Sequence, residues 1–131
     1  MDSCEAIIAN LTPFRGPGAD AGTVYELGYM AGRGKLCLGY SNDPTIYADR
    51  VHRFTEIEGR DGRLIDMHGL TVEDFGHTDN LMMIHALELH GVPLVLPRAT
   101  PEDIWHDLTA FEVCVRMALE HVAVTKNRNM L

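Results

Sequence analysis

The sequence of 131 residues predicts a single α/β domain, 1–131, built on a parallel sheet with flanking helices. Two observations predict it. The first 40 residues read as strand, helix, strand, the unit that builds parallel sheets. A third strand-like apolar run, at 92–96, stands between two further helical patterns.

Residues 5–11 read as a buried strand, apolar and β-branched up to Asn10-Leu11. The 12–21 stretch is a loop, because Thr12-Pro13-Phe14-Arg15-Gly16-Pro17-Gly18 carries two prolines and two glycines. A helix is predicted from about Thr23 to Arg33, with Val24, Leu27, Tyr29, Met30 and Ala31 supplying a packed face and Gly34 its C-cap. Leu36-Cys37-Leu38-Gly39-Tyr40 is the next strand. The 41–78 stretch is less regular, with a short helix expected near 44–52 and a hairpin at Asp61-Gly62. A helix is expected from Asp79, as N-cap, to His90, followed by a strand at 92–96. Thr100-Pro101-Glu102-Asp103 has the chemistry of a helix start, and that helix is expected to run to about Ala123. The tail Lys126-Asn127-Arg128-Asn129 reads as polar and frayed.

Composition narrows the function. Hydrophobic residues make up 46% and charged residues 23%, ordinary for a globular chain that buries a core. A net charge of -8 offers no basic field for nucleic acid or an anionic membrane surface, whereas small polar substrates fit. Three cysteines without CxxC spacing argue against a disulfide framework or zinc ribbon; Cys37 and Cys114 sit in apolar runs and read as buried. With no signal peptide and no membrane-length apolar run, the expectation is a cytoplasmic protein.

The chemistry concentrates at Asp20 and Glu26. Asp20 lies in the glycine-rich loop, free to fold back over the helix start, and Glu26 lies in the second turn. Ligands of open α/β sheets bind outside the carboxyl ends of strands, where this loop sits. Spacing alone leaves two readings open: a pair of site carboxylates, or a helix cap plus a surface acid. Gly16-Pro17-Gly18 matches neither GxGxxG nor a P-loop, and Arg15 reads as an anion contact or a solvated residue. His85 and His90 lack the spacing for one metal face, and each reads as a surface or interface residue. Trp105, Phe111 and the run Leu81-Met82-Met83-Ile84 read as core.

Three stretches carry a family resemblance: Glu5 to Gly16, Asp20-Ala21-Gly22-Thr23-Val24-Tyr25-Glu26-Leu27-Gly28-Tyr29, and Gly34-Lys35. Asp74-Phe75-Gly76 and Asn80-Leu81-Met82 extend it. Together they resemble the nucleoside 2-deoxyribosyltransferases, with D-x-G-T-x-x-E-x-G after an apolar strand as the specific part. The resemblance implies a Rossmann-like or flavodoxin-like parallel sheet flanked by helices, here lacking the usual first strand–helix segment ahead of Met1. Either the true start lies upstream or the form is shortened. Glu5 stands where Asp is usual, and Leu36 where Pro is common. No role follows for the terminal Asn129-Met130-Leu131.

The resemblance also implies roles. Glu26 is the nucleophile that takes up 2-deoxyribose, and Asp20 the acid beside the base. Asn80, Met82, Gly22, Thr23 and Phe14 are implied to bind substrate, Asn80 and Met82 reaching into a neighbouring subunit's site. No metal or organic cofactor is implied. The implied partners are a deoxynucleoside and a free nucleobase, with a homodimer or an assembly of dimers sharing active sites. The alternatives are a nucleoside or nucleotide N-glycosidase of the same superfamily, with the loop favouring free nucleosides, or a non-catalytic nucleoside-binding remnant.

Overall fold

Strand β1 (Ala6–Asn10) and strand β2 (Leu36–Tyr40) pair in parallel, from Ala6 opposite Leu36 to Asn10 opposite Tyr40. Helix α1 (Ala21–Gly32) makes the crossover between them. The computed structural model describes residues 1–89 and 91–128, with side chains to residue 125. Side chains of the strand pair alternate between two cores, as a period of two requires. Ala9, Leu11 and Cys37 face Leu27 and Met30 of α1 and Met83 and Leu87 of the later helix α3 (Leu81–Glu88). Leu36, Leu38 and Tyr40 face Ala110 and Cys114 of the last helix, α4 (Thr109–Arg128). The result is three layers, with helices on both faces of the parallel pair. Gly39 is required by this packing, since a Cβ there would lie 2.9 Å from Leu87 Cδ1.

A smaller unit lies between. Helix α2 (Tyr47–His52) packs over an antiparallel set of β3 (Ile57–Arg60), β4 (Arg63–Asp66) and β5 (Thr71–Val72). Ala48, Val51 and Val72 form its core. The expected hairpin turns at Asp61 and Gly62, with φ of 50° and 75°, the left-handed pair that a tight two-residue turn needs.

Four expectations change. Helix α1 starts at Ala21, because Asp20 is its cap. Asn80, not Asp79, caps α3, and the predicted end at His90 lies outside the described residues. The 92–96 strand contracts to one parallel bridge between Tyr40 and Val95. Pro93 and Pro97 bracket that segment and remove two ladder donors. Helix α4 starts at Thr109 rather than Thr100, and the intervening residues form turns. Asn42 Nδ2 donates to the carbonyls of Ile104 and Asp107, both at 2.9 Å, which holds this stretch against the loop after β2. Trp105 is therefore off the helix and 57% exposed, not core. Met82 is 73% exposed, whereas its neighbours Met83 and Ile84 are buried. Phe111 packs edge-on against Tyr40. The tail 126–128 continues α4, and residues 129–131 lie outside the described residues.

Candidate active site

The site is built where the chain leaves the carboxyl ends of β1 and β2. Asn10 Oδ1 accepts from Thr12 N at 3.0 Å, turning the chain out of the sheet. Thr12 Oγ1 in turn accepts from Asn42 N at 3.0 Å, so the loops after the two strands are pinned together. The glycine-rich loop closes on itself through Phe14 N to Gly18 O at 2.9 Å. Arg15 adopts φ 55°, a left-handed conformation that costs a non-glycine residue roughly 1–2 kcal/mol. Its guanidinium lies 5.1 Å from the centre of the Phe14 ring, and Phe14 meets Trp105 edge-on at 6.3 Å.

Asp20 ends this loop. Its Oδ2 accepts from Gly22 N at 3.0 Å and Thr23 N at 3.1 Å, satisfying two of the free donors of α1. A Cβ on Gly22 would lie 2.9 Å from that same oxygen, so the D-x-G spacing is what admits the carboxylate. Among the described residues Oδ1 of Asp20 accepts no hydrogen bond. Glu26 lies in the second turn of the helix and is exposed, beside the buried Leu27. Asp20 and Glu26 have no hydrogen-bond partner in common among the described residues.

Asn80 and Met82 stand at the start of α3. Asn80 Oδ1 accepts from Met82 N at 2.9 Å, and its Nδ2 donates to Glu73 Oε1 at 2.7 Å. Glu73 Oε2 accepts from Leu81 N at 3.2 Å. Asn80, Met82, Val24, Leu27 and Gly28 line an apolar groove of about 430 Å³ between α3 and α1. The structure thus places Asn80 and Met82 against the helix that bears Glu26. Among the described residues no hydrogen bond joins either of them to Glu26 or Asp20.

The link between these parts is a residue that the sequence reading took for a cap. Asp79 is buried, and its Oδ2 accepts from Ala19 N at 3.1 Å, the residue before Asp20. Its Oδ1 accepts from Asn80 N at 2.8 Å. Arg50, 2% exposed, donates Nη2 to Asp79 Oδ2 at 3.4 Å. Burial pushes the Asp79 carboxyl above its ordinary range, against the pull of the Asn80 and Ala19 amides and of Arg50. Burial likewise draws the Arg50 pKa down, against the attraction of Asp79 and Asp43. Asp43 behaves oppositely. Its burial acts to raise it, but hydrogen bonds from Thr45 and the charges of Arg53 and Arg50 outweigh that, and its pKa falls. Nothing local in the sequence marks the Arg50–Asp79 pairing, because the partners are 29 positions apart. Cys37 and Cys114 are buried thiols, and burial pushes both up, Cys114 to about 11. Among the described residues no helix is long and apolar enough to cross a membrane.

The parallel β1–β2 pair with helices on both faces defines an α/β domain. The chain belongs to the nucleoside 2-deoxyribosyltransferase family, whose model matches residues 1–82. It is 35% identical over 105 residues to an uncharacterised protein of Schizosaccharomyces pombe, covering 70% of this chain and 49% of that protein. Among solved structures it is similar to a 2-deoxyribosyltransferase from Leishmania mexicana, with 41% identity and a TM-score of 0.46 over 62% of this chain and 47% of that one. The chain spans about half the length of each of these two proteins. Every residue implied as part of the site, from Phe14 to Met82, falls inside the family match.

Proposed function

We propose that the chain carries the sugar-transfer part of a nucleoside deoxyribosyltransferase, with Glu26 as nucleophile and Asp20 as proton donor and acceptor. One observation supports this reading most. The family match spans both acids, and the fold puts Asp20 at the mouth of the helix that presents Glu26 to solvent. A carboxylate oxygen of Glu26 attacks C1′ of a 2-deoxynucleoside as the C1′–N bond breaks. The base leaves with that electron pair, and Asp20 gives a proton to its ring nitrogen. The product is a 2-deoxyribosyl ester of Glu26. A second base attacks C1′, the ester C–O bond breaks, and the incoming base returns its proton to Asp20. Two displacements at C1′ give net retention. Neither step calls for a metal or an organic cofactor.

Asp20 has one free oxygen for this role, since only Oδ2 is used in the cap. Gly22 and Thr23 hold that cap through their amides, which gives them a positioning role beside substrate. Phe14 is 43% exposed on the adjacent loop and supplies a face for the base. Asn80 and Met82 are read as the contribution of one subunit to another's sugar site in a homodimer or an assembly of dimers. The exposed Met82 above the α1–α3 groove supports that reading. The natural setting of such chemistry is nucleoside salvage in the cytoplasm.

Incubation with deoxyinosine and adenine tests the reading. New deoxyadenosine is expected. Release of free deoxyribose instead would make the protein an N-glycosidase, and the absence of both products would defeat the enzymatic reading. Glu26→Ala is expected to lower exchange at least 100-fold, about 2.7 kcal/mol of barrier. Its unfolding free energy should stay within about 0.5 kcal/mol of wild type, since the side chain is exposed.

A further inference from the structure

We propose that a second cavity, between the 13–17 loop and α2, is a binding site for a phosphate group, as the free oxyanion or as a phosphate monoester. The cavity has a volume of about 370 Å³. That lies within the roughly 300–1,000 Å³ typical of small-molecule sites. Arg15, Arg50 and Arg53 line it against a single carboxylate, Asp43, with Phe54 and Trp105 beside them. Arg50 is paired with Asp79 and Arg53 with Asp43, which leaves a net positive charge at the cavity in a chain of net charge -8.

Arg50 carries the argument. Its guanidinium is 2% exposed, and only Nη2 is paired, with Asp79 at 3.4 Å. Nε and Nη1 have no hydrogen-bond partner among the described residues. A buried guanidinium with unused donors is costly unless an acceptor reaches it, and phosphate oxygens match its fork geometry. Arg53 donates to Asp43 at 3.3 Å and to Thr45 Oγ1 at 2.9 Å, which fixes one wall of the cavity. Arg15 lines the cavity from a backbone in the left-handed region. Trp105 and Phe54, 57% and 64% exposed, offer flat apolar faces to the organic part of a monoester. Pro13, Arg15, Gly16, Pro17 and Asp43 come from the loops that follow β1 and β2, the end of the sheet where open α/β folds bind ligands, whereas Arg50 lies in α2 and Arg53 and Phe54 follow it. Nothing in this assignment depends on Glu26 or on deoxyribosyl transfer.

Trp105 is the sole tryptophan of the chain, so its fluorescence reports on this cavity. The full chain is titrated at constant ionic strength with inorganic phosphate, deoxyadenosine 5′-monophosphate and deoxyadenosine. Saturable changes are expected with both phosphate-bearing probes, and the response to inorganic phosphate should persist in saturating deoxyadenosine, which would meet Phe14 beside Trp105 at the proposed sugar-transfer site. Tighter binding of the monophosphate would identify a monoester as the ligand, and equal binding the free anion. Arg15→Ala and Arg53→Ala, both at exposed side chains, should each raise the Kd about tenfold and reduce the gain in Tm that phosphate confers on the wild type. No saturable response to either phosphate probe would overturn the proposal. So would loss of the inorganic phosphate response in saturating deoxyadenosine, or wild-type affinity in both arginine variants.

Discussion

The N-terminus of α1 and the junction of α2 with α3 use carboxylates in contrasting ways. Asp20 and Glu26 sit at or near the surface, and the hydrogen bonds of Asp20 are local, to residues two and three positions on. Asp79 is buried, and it ties Ala19 to Asn80 while meeting Arg50 from another helix. The first arrangement leaves acid groups accessible for chemistry. The second holds the loop and the start of α3 in fixed relation, so that α1 and α3 face each other across one groove. The acids proposed for the chemistry and the structural acid are therefore separated here by burial and by the sequence distance of their partners.

The largest expected effect falls on the buried side of this contrast. Asp79→Ala leaves Arg50 as an unpaired buried charge and should destabilise the fold by about 3–5 kcal/mol, measured by urea unfolding. Replacing Arg50 and Asp79 together by apolar residues of similar volume should recover much of that loss. A single variant near wild-type stability would show that the pair does not hold the loop.

At the surface the expected effects on stability are smaller. Asp20→Ala should cost about 1 kcal/mol as a lost cap, whereas Asp20→Asn keeps an acceptor oxygen and should change stability by only a few tenths. If Asp20 transfers protons as well as capping, Asp20→Asn nevertheless loses most of its base exchange. Full activity in that variant would reduce Asp20 to a cap.

Local chemistry was legible in the sequence and distant pairing was not. The D-x-G spacing at Asp20 and Gly22, the Asp61-Gly62 hairpin and the short apolar strands β1 and β2 are all written in neighbouring residues. The same reliance on neighbours misplaced the start of α4. Thr100-Pro101-Glu102-Asp103 has the right chemistry, but bonds from Asn42 hold the following residues in turns. Asp79 beside an apolar helical run looks like a cap, yet Asn80 accepts from Met82 N in that role. The arginine cavity was legible only as Arg15, because Arg50 and Arg53 reach it through the fold.

The smallest effect is one of pH. Asp43, with its pKa lowered in the folded state, contributes stability that is present above the ordinary value of 3.8 and is lost as pH falls through the folded pKa. Asp79, with its pKa raised, has the opposite slope: the folded state gains relative stability as pH falls from the raised value toward 3.8. Asp43→Asn should therefore flatten the acid limb of a stability–pH curve, and Asp79→Asn should remove the opposing slope above it. Identical curves for wild type and both variants would mean that neither carboxyl titrates differently on folding.

The central claim is that Glu26 becomes covalently loaded with sugar. The direct measurement is peptide mapping by mass spectrometry after brief incubation with deoxyinosine and acid quenching. A 2-deoxyribosyl adduct on Glu26, absent from Glu26→Ala, is the predicted result. Base exchange without an adduct there, or with the sugar on a different carboxylate, would contradict it.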